Sequence, residues 1–213
     1  MNIKDFIEIV SPYSMTSVER ITSLYNSLEY IRAHEIPGDI VECGVWKGGN
    51  IRGIIDYLHH HNMNDRNVWL YDTFAGMTVP EDIDVDLNLK KARDIFEDVK
   101  SYASLDSVKS LLASSNFPQK RLNYVVGDVM ETLKERKNTP REISILRLDT
   151  DWYQSTKIEL EVLYPLLKAG GVLIVDDYGH WQGAKKAVDE YFADSKVFVE
   201  KIDYTGVKIV KKC

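Results

Sequence analysis

Hydrophobic and polar positions along this chain follow two different periods. Between Ser17 and Ala33, Val18, Ile21, Leu24, Tyr25, Leu28 and Ile31 recur at helical spacing until Pro37-Gly38 interrupts them. That spacing predicts an N-terminal helix. Five short apolar runs follow: Asp39–Cys43, Val68–Tyr71, Leu122–Val126, Ile143–Leu148 and Val172–Val175. Helical or mixed stretches separate them and are long enough for crossovers between parallel strands. Two last runs, Val197–Ile202 and Gly206–Val210, flank Asp203-Tyr204-Thr205, a hairpin-sized connection. The expected fold is therefore α/β: a doubly wound, mostly parallel seven-stranded sheet ending in an antiparallel C-terminal hairpin. A helical segment over residues 1–37 is expected to cover a site on a sheet domain over residues 38–213, as one domain overall.

One segment breaks both periods. Thr78 to Asp98 begins with a Pro and several acids, which predicts a solvated surface loop leading into an amphipathic helix. The alternative is a lid beside the site.

Composition narrows the class. A chain of 213 residues, 44% hydrophobic and 28% charged, fits one soluble domain with a sizeable core. The net charge of −6 argues against nucleic acid as a partner, because phosphates repel an acidic surface. Cys43 and Cys213 cannot build a disulfide framework, so two free thiols in a reducing, cytoplasmic compartment are expected. The first residues, MNIKDFIEIV, lack a basic region before a long apolar stretch, and no window has the length of a membrane span. No membrane partner is expected.

Candidate chemistry gathers at the predicted strand ends, where ligands of such sheets bind. The first strand ends in VECGVWKGG: Glu42, then Gly44, Gly48 and Gly49 in a turn opening a helix, where backbone can approach a ligand closely. The spacing departs from the dinucleotide pattern GxGxxG, which weakens a dehydrogenase reading. Asp72 ends the second strand, where a carboxylate can accept from two ribose hydroxyls. Asp128, after the third, can accept from an adenine amino group, cap the next helix, or do both.

The fourth strand ends in LRLDTDWYQST and the fifth in GGVLIVDDYGHW. Asp149, Asp151, Asp176 and Asp177 thus form a cluster of carboxylates that requires a cation, since like charges raise one another's pKa. All-oxygen ligation points to magnesium, manganese or calcium rather than zinc. His180 is a candidate general base, a substrate hydrogen bond or an exposed turn histidine. His59, His60 and His61 are read as a solvated helix end.

GDIVECGVWKGGN, YDTFAGM, LRLDTDWYQST and GGVLIVDDYGHWQGAKKAVDEYF closely resemble the macrocin O-methyltransferase family, from about Gly38 to Phe192. These are metal-dependent class I methyltransferases that use S-adenosylmethionine. The resemblance implies that Asp149, Asp176 and Asp177 bind magnesium, and that Glu42, Gly44 and Asp72 lie along S-adenosylmethionine. It makes Asp151 the first candidate for the general base, with Asp149 and His180 as alternatives. The implied acceptor is a small or glycosylated molecule methylated on a sugar hydroxyl, and relatives imply a homo-oligomer. A catechol-like acceptor and a non-catalytic nucleotide-binding protein are the rival readings. The chain departs from the family pattern in having GDVMETL after the third strand, where many relatives carry an aromatic pair, and in a shorter stretch between the second and third strands.

Overall fold

The computed structural model describes residues 1–212; Cys213, with the thiol expected there, lies outside the described residues. The strands are β1 (Asp39–Cys43), β2 (Val68–Asp72), β3 (Leu122–Val126), β4 (Ile143–Leu148), β5 (Leu167–Val175), β6 (Glu200–Lys201) and β7 (Val207–Val210). The helices are α1 (Ile3–Val10), α2 (Val18–Ala33), α3 (Gly49–His60), α4 (Phe96–Val99), α5 (Leu105–Ala113), α6 (Val129–Thr132), α7 (Tyr153–Leu163) and α8 (Gln182–Tyr191). One sheet runs β3-β2-β1-β4-β5-β7-β6, parallel except that β7 is antiparallel to both neighbours. The expected seven-stranded α/β sheet is therefore present, and its order reverses between β1 and β4.

Alternation along the strands decides what faces what. Ile40, Leu70, Ile145, Val172 and Ile174 bury against α1, α2 and α3, while Val41, Cys43, Tyr71, Leu146, Leu148, Leu173 and Val175 bury against α7 and α8. A period of two then puts Glu42, Asp72 and Arg147 on the first face, along with Gly44, Asp149 and Asp176 just past the strands. The ladder still holds those three: Gly44 donates to the Tyr71 carbonyl, Asp149 to Cys43 and Asp176 to Leu148, each at 2.9 Å. The acids at the strand ends are thus set on rigid backbone.

Several expectations need correction. The N-terminal segment contains α1 as well as α2. Asn2 and Asp5 form a capping box, and Phe6 and Val10, one turn apart, enter the core. At Gly53 of α3 a Cβ would lie 2.9 Å from the Phe6 ring, so the glycine makes the notch that receives it. β5 starts at Leu167, ahead of the predicted Val172, because Ile143 pairs with Leu167 and Ile145 with Val172, leaving Lys168 to Gly171 as a bulge. β6 shrinks to two residues at the sheet edge, with Phe198 exposed beside it.

The acidic stretch from Thr78 is solvated only in part: Glu81, Asp82 and residues 87–90 are exposed, but its middle is anchored. Asp84 and Asp86 are buried, because short aspartates satisfy backbone N–H groups that would otherwise need water. Asp84 accepts from Tyr153 at 2.8 Å and Glu81 at 2.9 Å, and Asp86 from Asn88 at 2.8 Å and Lys90 at 2.9 Å. Bridges Val85–Lys91 and Asp86–Trp181 fasten the turn to the domain. The helix expected after it is limited to a 3-10 turn at Ala92–Ile95 and the single turn of α4.

The docking of α1 is testable. Phe6→Ala is expected to cost about 3–5 kcal/mol, read as a lower urea midpoint, and Asn2→Ala about 1 kcal/mol through the lost N-cap. Equal midpoints for Phe6→Ala and the wild type would show that α1 is not part of the cooperative fold.

Candidate active site

The glycine turn after β1 is shaped by the chain's own backbone. Gly44 has φ +82°, and a Cβ there would sit 1.9 Å from the Asp149 carbonyl oxygen, so only glycine lets the ends of β1 and β4 meet. Gly49 admits the N-terminal segment: its Cβ would lie 2.6 Å from the Tyr13 carbonyl oxygen. Asp72 ties the turn down. Its Oδ2 accepts from the N–H groups of Val45 at 2.8 Å and Trp46 at 2.9 Å, and Oδ1 from Phe74 at 2.7 Å. A carboxylate offers about four acceptor positions, so roughly one remains for a ligand rather than the two expected.

Above the switch in strand order lies a cavity of about 410 Å³. Gly44, Gly49, Asp72, Asp128, Asp149, Asp151, Asp176, Asp177 and His180 line it, joined by Tyr13 to Thr16 and Arg20 from the N-terminal segment. Asp128 caps α6, as one reading of its position expected, through a 2.8 Å bond from Met130, and it also lines the cavity. Two predicted residues stand elsewhere. Glu42, 1% exposed, sits behind the wall and accepts from Arg147 at 2.8 Å and Asn50 at 3.1 Å. Gly48, with φ +84°, caps the start of α3 outside the lining. His59 and His60 are exposed at the far end of α3.

Beneath the cavity floor, the Arg147 guanidinium joins three strands. It donates to Glu42 of β1 at 2.8 Å, to Asp149 at 2.7 Å, to Asp176, and to Thr16 Oγ1 at 3.2 Å. From the other side Arg20 of α2 pairs with Asp176 and, at 2.9 Å, with Asp203 in the β6–β7 turn. These cations do not neutralise every acid. Burial, only partly offset by Arg147, pushes Glu42 up to about 7, and Asp176 rises to about 7 for the same reason. Asp151 rises to about 7 through burial and the charge of Asp149. Asp177 is pushed well above the carboxylate range by burial and by Asp151, with which it shares a hydrogen bond. Asp151 adopts φ +67°, and its Oδ1 accepts from the Trp181 indole at 3.0 Å.

Asp149, Asp176 and Asp177 each bring one oxygen within 4.8 Å of the others, and among the described residues Asp177 Oδ2 is buried with no hydrogen-bond partner. An all-carboxylate set with an orphaned oxygen fits a hard divalent cation. Asp151 is not one of the three; it lies against Asp177, and its Oδ1 accepts from the Trp181 indole. His180 Nδ1 is likewise buried and unpartnered, with its ring edge-on to Trp181 at 4.7 Å.

Sequence reasoning missed Arg147, Arg20, Trp181 and Glu159. Arg147 had a signal, a charge within the otherwise apolar run Ile143–Leu148. Glu159, buried in α7, accepts from Thr150 Oγ1 at 3.0 Å and so steadies the turn between Asp149 and Asp151. Arg20 lies on an ordinary helix and carries no local mark.

Among known proteins, the model of the macrocin O-methyltransferase (TylF) family matches residues 8–211. Demethyldecarbamoylnovobiocin O-methyltransferase of Streptomyces niveus is 32% identical over 205 residues, covering 92% of this chain and 74% of the relative. Mycinamicin III 3''-O-methyltransferase of Micromonospora griseorubida is 29% identical over 184 residues, 84% of this chain and 70% of the relative. The solved O-methyltransferase NovP matches with a TM-score of 0.82 at 29% identity, over 94% of this chain and 83% of its own. An SAH-bound methyltransferase of Podospora anserina, 14% identical with a TM-score of 0.55, shares the fold. No helix among the described residues is long and apolar enough to cross a membrane.

Stability should follow the acids. Glu42 and Asp176 have folded pKa values near 7, above their unfolded values, so their contribution is complete below about pH 4 and is lost as pH rises through 7. Chelator-treated protein is therefore expected to unfold at higher urea at pH 5.5 than at pH 8, by on the order of 1 kcal/mol. Arg147→Met, which strands the acids, should cost about 3–5 kcal/mol at pH 8 and less at pH 5.5. A deficit independent of pH would contradict this account.

Proposed function

The chain belongs to the macrocin O-methyltransferase family and is an O-methyltransferase. From that premise we propose that it methylates a hydroxyl of a sugar, or of a sugar-bearing natural product, using S-adenosylmethionine and magnesium held by Asp149, Asp176 and Asp177. The observation that carries the reading is the buried, unpartnered Asp177 oxygen within a carboxylate triad on the cavity wall. The relatives support the acceptor class, since two are named as O-methyltransferases of demethyldecarbamoylnovobiocin and of mycinamicin III and the family for macrocin.

In this reading the cofactor lies along the β1–β2–β3 side of the cavity. Asp72 accepts one ribose hydroxyl with its spare position, Asp128 accepts the adenine amino group, and Gly44 and Gly49 keep the wall low. Glu42 and Gly48 act from behind, Glu42 by holding Arg147. S-adenosylmethionine supplies the methyl group from its sulfonium, and a bound divalent ion supplies Lewis acidity to the acceptor oxygen. The chain's residues do the rest. Arg147 and the β-ladder fix the directions of the Asp149 and Asp176 carboxylates before any ligand arrives, which lowers the reorganisation needed for catalysis. Asp151, poised near neutrality and oriented by the Trp181 indole, takes the hydroxyl proton onto its carboxylate. His180, through its free Nδ1, accepts from or donates to a neighbouring acceptor hydroxyl.

Assays with S-adenosylmethionine, magnesium and a panel of glycosides, with catechols as the alternative, test the reading. Asp177→Asn should lower kcat/KM by at least about 100-fold, and chelation should do the same. Asp151→Asn should lower kcat about 100-fold while leaving S-adenosylhomocysteine affinity within about twofold by calorimetry. Full turnover in chelator would remove the cation from the proposal; catechol-only turnover would remove the sugar.

A further inference from the structure

One cation stands where the divalent ion is proposed to bind. Asp176 is engaged on both oxygens: Oδ1 accepts from Arg147 beneath the floor and Oδ2 from Arg20 at the cavity wall. Both guanidiniums are positive, so a divalent ion reaching Asp176 meets like charge on either side. The two differ in what holds them. Arg147, 2% exposed, also binds Glu42 and Asp149, and its departure would strand three acids. Arg20 lines the cavity and has another anchor, since its Nε donates to Asp203 at 2.9 Å and to Ser17 Oγ at 3.3 Å. It can give up Asp176 without losing its partners.

We propose that Arg20 is a resident counter-cation of the acid triad, which a divalent ion displaces from Asp176. The inference rests on the cation site proposed above and adds a competitor to it. Its consequence reaches beyond the acids. Arg20 ties the start of α2 to the end of β5, and the residues just before that helix, Tyr13 to Thr16, form part of the cavity wall. Metal binding therefore loosens one tie of the segment that closes the cavity.

Manganese binding, followed by electron paramagnetic resonance in the absence of cofactor and acceptor, separates the possibilities. Arg20→Gln keeps a donor for Asp203 but removes the charge, and is expected to bind manganese about tenfold more tightly than the wild type; Asp177→Asn is expected to bind it far more weakly. Equal or weaker binding by Arg20→Gln, with Asp177→Asn impaired, overturns the competition and leaves the cation site standing. Absence of binding in both wild type and Arg20→Gln, or undiminished binding in Asp177→Asn, overturns the site and the competition together. Wild-type protein supplies a second readout that needs no variant. Amide hydrogen exchange across residues 14–20 should quicken on adding manganese, and unchanged or slowed exchange there overturns the displacement.

Discussion

Burying a guanidinium among carboxylates is the constraint on which the rest of this molecule depends. Arg147 lies in the middle strand of the sheet's crowded end, and its partners come from β1, β4 and the residue after β5. A charge in that position is tolerated only when fully paired, and each acid that pairs with it is itself tolerated only because of it. Burial raises the pKa values of these acids, and the pairing, with more carboxylates than cations, offsets it only in part. That surplus of buried negative charge is chemical potential for a cation. A conventional apolar floor would be as stable or more so, but it would offer the cavity nothing to hold a metal with.

Backbone geometry delivers the surplus to one place. Parallel strands in register end together, and the ladder carries one residue past each end, so Asp149 and Asp176 leave the sheet side by side. The close approach of β1 to β4 at Gly44 then draws the glycine turn after β1 against the acids that follow β4. Here a residue type chosen for one backbone contact has a chemical effect. A side chain at Gly44 would run into the Asp149 backbone and force the two strand ends apart.

This explains which parts of the molecule the sequence reveals. Inner strands covered on both faces are largely apolar, so β1 and β4 could be read to the residue, and the acids at their ends stood out against that background; the edge strand β3 was legible from its β-branched and aromatic residues although it is only partly covered. Features fixed by long-range contact left weaker traces. α1 does keep helical spacing at Ile3, Phe6, Ile7 and Val10, but the notch at Gly53 that receives its apolar face lies far along the chain. Asp84 and Asp86 look solvated in a run of acids, yet their partners are backbone groups whose positions composition does not record. Glu42 matched the pattern of a cofactor contact but lies outside the cavity lining and pairs with Arg147, a neighbour that lies far along the chain. A strand-end acid was visible; the direction in which it points was set elsewhere.

The N-terminal segment shows the same dependence running outward. Thr16 accepts from Arg147, Ser17 and Asp203 both accept from Arg20, and Gly49 lets the Tyr13 backbone settle on the glycine turn. A stretch of chain that forms no strand is thus held by the same ion network that orders the floor. Ties of this kind are polar and few, so they are more easily broken than the apolar contacts of α2 with the sheet. The segment can therefore respond to charge arriving at the acids while the helix behind it stays packed. Under the proposed function that division of labour has a use, because ligands would have to enter the cavity while the carboxylates proposed to receive them stay in place.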